Sequence, residues 1–138
     1  MTDRELDAKV AEVVMGWSAV EYDAGDARTM GVCHGTPPGP KSDHIADLSL
    51  HGTGTGSYHI PRYSTTGDGM LAVVEAMRGR GWSMQANTSP AQTPVVWFSK
   101  VDHTKALTDA AHYQGQAVAD ADTLPRAVSL AALRAVGK

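Results

Sequence analysis

The hydrophobic period switches between 3.6 and 2 along this chain, and that switch limits the folds open to it. Leu6, Val10, Val13, Val14 and Trp17 recur at helical intervals behind Thr2 and Glu5, which have the spacing of a capping box, so a helix is expected over about 3–16. From Asp68 to Met77 the helical interval returns at Met70, Val73, Val74 and Met77, and "RGRG" then supplies a stop. Immediately afterwards Trp82, Met84 and Ala86 alternate with Ser83 and Gln85, and "PVVWFSKV" from Pro94 to Val101 is a run of β-formers. These two stretches read as strands paired across "NTSPAQT", with a third strand in "HYQGQAVA" that Gly115 interrupts. The final segment, "DTLPRAVSLAALRAVGK", returns to the helical period. It has Asp122 or Thr123 as N-cap, Pro125 in the first turn and Gly137 past the end. Its small residues Ala127, Ala131, Ala132 and Ala135 let a helix lie close against a sheet.

The stretch from Asp23 to Asp43 is punctuated by Gly, Pro and Asp so densely that a mobile loop is expected over about 23–45, broken only by a short strand near Thr29 to Cys33. Ala46 to Leu50 is a weak strand candidate, and "HGTGTGSYHI" reads as a turn or bulged hairpin. Helices at the ends and in the middle, with hairpins between, give an α+β domain: a mostly antiparallel sheet carrying about three helices. With 138 residues the whole chain, 1–138, is expected to be one domain.

Composition excludes several classes. The 42% apolar and 20% charged content is that of a globular protein, and a formal net charge of -3 argues against bulk nucleic-acid binding, which uses basic stripes to neutralise phosphates. Cys33 is the only cysteine, so no intrachain disulfide and no cysteine-rich zinc site is expected. The charged start "MTDRELDAKV" lacks the apolar core of a signal peptide, and no apolar run spans a bilayer, so a cytoplasmic protein without membrane contact is expected.

The candidate site lies in "IPRYSTTGDGM", Ile60 to Met70. Ser64 and Thr65 have the chemistry of N-cap residues for the second helix. The same helix start can also hold an anion: free first-turn amides carry partial positive charge, Gly67 and Gly69 admit close approach, Arg62 adds a charge-assisted contact, and Tyr63 offers a stacking surface. Arg62, Tyr63, Ser64, Thr65, Thr66 and Gly67 are therefore the expected anion-binding residues, opposed in part by Asp68. His51, His59, Trp82, Trp97 and Arg126 are expected to line any pocket beside them; Arg126, a cation in the first turn of a helix, calls for a nearby acid or a bound anion.

Other constellations are weaker. "HGTGTGS" lacks the Lys-Ser/Thr ending of a P-loop. The six histidines, at 34, 44, 51, 59, 103 and 112, include no pair at the helical spacing of a zincin; Asp102 and His103, as neighbours on a strand, are expected to point to opposite faces, and Cys33-His34 has no local orienting group. No catalytic residue, metal or cofactor is expected.

Three blocks carry a family resemblance: "LDAKVAEVVMGW" at Leu6 to Trp17, "PRYSTTGDGMLAVVEAMRGRGW" at Pro61 to Trp82, and "ADTLPRAVSLAALRAVG" at Ala121 to Gly137. Together they resemble the phage ABA-sandwich domain family, small proteins of bacteriophages and prophages, in order over nearly the full length. Where that pattern continues Tyr-Ser-Thr with an aspartate, this chain has Thr66. The resemblance implies a three-layer helix–sheet–helix sandwich and a phage origin, and no established activity. With the anion site, it leads to the expectation of a non-enzymatic protein acting in the host cytoplasm. It would sequester a small anionic ligand, such as a nucleotide-derived signal of host defence, and would oligomerise to close a pocket. The alternatives are a module that docks on a host or phage protein and, last, a nucleotide hydrolase using histidines 51, 59 or 103.

Overall fold

The computed structural model describes residues 1–25, 32–38, 58–101 and 113–137. The first helix, α1 (Asp3–Val13), begins where the Thr2 side chain accepts from the Glu5 amide, as the capping-box spacing predicts. It stops at Val13, short of the expected Gly16. Its last turn loosens into bonds from Met15 to Val10 and from Trp17 to Ala11, and Gly16 adopts a positive φ of 82° that reverses the chain. Arg80 then donates to the free Val14 carbonyl at 2.7 Å, a cation on the negative end of the helix.

Two antiparallel sheets follow. The first orders β1 (Ser18–Asp23), β2 (Val32–Thr36) and β3 (Tyr58–His59), with Tyr22 opposite Cys33 and His34 opposite His59. Sequence reasoning missed β1 altogether and set β2 about three residues early. In β1 the apolar alternation is too sparse to stand out, since only Val20 and Tyr22 are even partly buried. The Ala46 to Leu50 strand and most of the Gly-rich hairpin lie outside the described residues, as does much of the 23–45 loop.

The second helix, α2 (Gly67–Gly79), ends at Arg80 and Gly81, the latter at a φ of 90°, and leads into the second sheet. That sheet orders β4 (Trp82–Asn87), β5 (Val95–Val101) and β6 (Tyr113–Asp120). The β4–β5 pairing is the expected one, with Met84 opposite Phe98 and Gln85 opposite Trp97. On its inner face Val96 and Phe98 are fully buried, flanked by Ala117 and Ala119. Burying a side chain such as Phe98 contributes roughly 1.5–3 kcal/mol. The last helix, α3 (Leu124–Val136), covers that face with Ala127, Val128, Ala131 and Ala132, all fully buried. Thr123 precedes it with extended backbone but makes no side-chain cap bond, and Gly137 closes it.

The class is α+β, and the described residues form three helices and two three-stranded antiparallel sheets. The first sheet rests on α1 and the second on α3, while α3 touches both other helices, so the two sheets are joined through the helices. Among the described residues no helix is long and apolar enough to cross a membrane.

Candidate functional site

The turn between β3 and α2 takes its shape from the first helix. Asp7 sits on the buried stripe of α1 and is fully inaccessible. Its Oδ1 accepts from the Ser64 amide at 2.7 Å and its Oδ2 pairs with Arg4 Nη1 at 2.7 Å. Arg4 continues to the carbonyls of Ile60 at 2.7 Å and Pro61 at 3.3 Å, while the Ser64 hydroxyl donates to the Asp3 carbonyl at 3.1 Å. A buried charge is tolerated only when its oxygens are satisfied, and here both are. Within this turn, the partner of the Ser64 amide is a carboxylate of the protein itself.

Tyr63 is also buried. Its hydroxyl accepts from Trp17 Nε1 at 3.1 Å, and burial pushes its pKa up to about 12. Neither Tyr63 nor Ser64 faces solvent, so both shape the turn from within. The N-cap of α2 is Thr66, not Ser64 or Thr65: its hydroxyl accepts from the Gly69 amide at 3.0 Å and donates to the Arg62 carbonyl at 3.0 Å. The Arg62 carbonyl also takes the Thr65 and Thr66 amides at 3.3 and 3.2 Å. Gly69 lies so close to this knot that a Cβ would fall 2.5 Å from the Arg62 oxygen. Its close approach is to the chain's own backbone.

What remains at the surface is a corner of Arg62, Thr65, Thr66, Gly67 and Asp68, all exposed, with open space around Gly67. The other described arginines are all engaged: Arg4 with Asp7, Arg78 with Glu75, Arg80 with Val14, Arg126 with Asp3, and Arg134 with the Val118 carbonyl. The Arg62 guanidinium makes no hydrogen bond or ion pair to any described residue.

The expected pocket lining does not converge. His59 is exposed on β3 near Arg4, and Trp82 lies beneath Lys100, whose Nζ is 6.0 Å from the ring centroid. Trp97 belongs to the outer face of the second sheet, opposite Val118. Arg126 has its compensating acid in Asp3 and also donates to the Met1 carbonyl at 2.7 Å. His51 lies outside the described residues, as do His44, His103 and His112. An open groove of about 220 Å³ runs between α1 and β1, lined by Glu5, Ala8, Lys9, Glu12, Val20 and Tyr22, none of them a site residue expected from the sequence. Burial raises the Cys33 thiol pKa, partly offset by Arg4, so the thiol stays protonated and inert. Among the described residues no group of three or more His, Cys, Asp or Glu side chains is arranged to hold a metal.

Sequence reasoning missed Arg4 and Asp7, although one signal was present. Asp7 stands three, four and seven residues before Val10, Ala11 and Val14, an acid on the apolar stripe of an amphipathic helix. Compared with protein-family models, with curated proteins and with solved structures, the chain matches none.

Proposed function

We propose that this protein is a non-enzymatic binding protein that takes the anionic group of a small ligand at the corner formed by Arg62, Thr65, Thr66 and Gly67. The observation that carries this reading is the Arg62 guanidinium, paired with no described residue, beside an exposed helix start on a surface where the other described arginines are engaged. A guanidinium and first-turn amides together match a phosphate or carboxylate. Tyr63 and Ser64 belong to the site as positioning residues, since their bonds to Trp17, Asp7 and Asp3 hold the turn. The phage-family resemblance suggests a nucleotide-derived defence signal as the ligand and the host cytoplasm as the place.

The test is a thermal shift of the purified protein against nucleotides, cyclic nucleotides and ADP-ribose derivatives, with mass spectrometry of the recovered ligand. A ligand at roughly a hundredfold its dissociation constant stabilises the native state by about 2.7 kcal/mol. The shift is expected to vanish in Arg62→Ala, to grow in Asp68→Asn, and to shrink as salt rises. Recovery of a chemically altered ligand would move the reading to an enzyme. A second reading, docking on a partner protein, is supported by the outer face of the second sheet, where Val118 is 45% exposed beside Trp97. No shift across the panel, with Arg62→Ala indistinguishable from the parent, would put that reading first.

A further inference from the structure

The two sheets have four edges, and three of them are blunted. In β1 the register shifts between Ser18 and Glu21, and Ala19 takes a left-handed φ of 50°. The β3 strand is two residues long. Along β6, Arg134 takes up the Val118 carbonyl at 2.7 Å, and the register shifts at the Lys100/Val101 step. Bulges, short strands and cationic side chains are the usual ways in which an edge is kept from pairing with another chain. The β4 edge has none of these. It pairs with β5 through six consecutive residues without a shift, contains neither Lys nor Pro, and exposes Ser83, Gln85, Ala86 and Asn87. Trp82 and Met84, on the face toward the helices, are only half-buried, whereas Val96 and Phe98 beside them on β5 are fully buried.

We propose that β4 pairs antiparallel with β4 of a second copy of this chain, about a two-fold axis through Met84. Opposed residues of an antiparallel pair point to the same face, so the axis must pass through a residue and not between two. With the axis at Met84, Trp82, whose ring leans across its own sheet to Gly115 of β6, lies opposite the small Ala86 of the second copy, and the two Met84 side chains meet. On the other face Ser83 lies opposite Gln85, two groups able to hydrogen-bond. An axis at Gln85 would leave Trp82 without an opposite residue. The contact is isologous and closed, and it joins two three-stranded sheets into one of six strands. Its warrant is the edge and its self-complementary register, independent of any ligand at Arg62.

The test combines sedimentation equilibrium of the full chain with cysteine pairing. The parent is expected to pass from monomer to twice the monomer mass as concentration rises. Cα atoms opposed in an antiparallel pair are about 4.5–5.5 Å apart, within the reach of a disulfide. Under oxidised glutathione, Met84→Cys is therefore expected to link to itself. Ser83→Cys and Gln85→Cys, each alone, are not; mixed together, they link to each other. Cys33 is buried and gives the parent no link. The Ser83 and Gln85 variants change exposed positions and keep the test valid if Met84→Cys fails to fold. A parent that stays monomeric at millimolar concentration overturns the proposal. So does a Gln85→Cys chain that links to itself, or a dimer in which neither Met84→Cys nor the mixture forms a link.

Discussion

The turn at 60–66 and the second sheet are held together in opposite ways. In the second sheet the order comes from burial: Val96, Phe98, Ala117 and Ala119 face Ala127, Val128, Ala131 and Ala132 of α3, and the side-chain hydrogen bond between them, from Arg134 to the Val118 carbonyl, lies at the exposed margin. The turn also buries Ile60 and Tyr63 in the core, but its path is set by directional bonds that join Arg4, Asp7 and Trp17 to Ile60, Pro61, Tyr63 and Ser64. Apolar packing tolerates exchange of similar shapes, whereas a buried polar network fails when one member is lost. The candidate anion corner stands on the less tolerant of the two.

The largest expected effect tests that difference directly. Asp7→Ala removes both acceptors at once and leaves Arg4 without its carboxylate and the Ser64 amide without an acceptor. Breaking a buried pair from one side costs about 3–5 kcal/mol. The near-isosteric Asp7→Asn is expected to cost about 1.5–3 kcal/mol, because the charge-assisted bond is lost even though the shape is kept. The fully buried Met77→Leu, an equally modest change in the apolar core, is expected to cost under about 1.5 kcal/mol. Urea unfolding of the three variants checks the order. Asp7→Asn and Met77→Leu of equal cost would erase the contrast.

Next in size is a pH effect confined to the turn. The Tyr63 pKa is raised by burial to about 12, against about 10 in an unfolded chain, so the native state holds its proton more tightly. The stability this gives is complete below about pH 10 and is lost as pH rises through about 12. Two pKa units correspond to about 2.7 kcal/mol. Unfolding measured from pH 9 to 12 is expected to fall more steeply in the parent than in Tyr63→Phe, which has no such proton to lose. Parallel curves would mean that Tyr63 is not buried as described.

The same contrast explains what could be read from the sequence. The second sheet and α3 were legible because their order is local and periodic: alternation at Trp82, Met84 and Ala86, and a stripe of alanines from 127 to 135. The division into two sheets was not legible, since β1 and β3 carry almost no period of their own and form by pairing with β2. Within the site, the helix start at 66–67 was legible to within two residues. Its supports were not, because the bond from Ser64 to Asp7 spans 57 positions and no spacing rule reaches that far. Gly67 and Gly69 were read alike from the sequence, yet their surroundings differ completely.

That difference between the two glycines gives the smallest and sharpest tests. At an ordinary helical position Gly→Ala stabilises, but a Cβ at Gly69 meets the Arg62 oxygen at 2.5 Å and the Tyr63 Cα at 2.7 Å, so backbone must move. Gly69→Ala is expected to destabilise by about 1–3 kcal/mol, the usual cost of overpacking, and to displace Arg62 with the turn. A Cβ at Gly67 meets nothing within 4 Å, and the position begins α2. Gly67→Ala is therefore expected to stabilise by about 0.4–1 kcal/mol, chiefly by restricting the unfolded chain. The pair separates two roles that the sequence could not distinguish. If the corner takes an anion against the backbone at Gly67, then Gly67→Ala should raise stability while weakening the ligand-induced thermal shift. A variant both more stable and unchanged in binding would place the anion away from the helix start and leave Arg62 as its only anchor there.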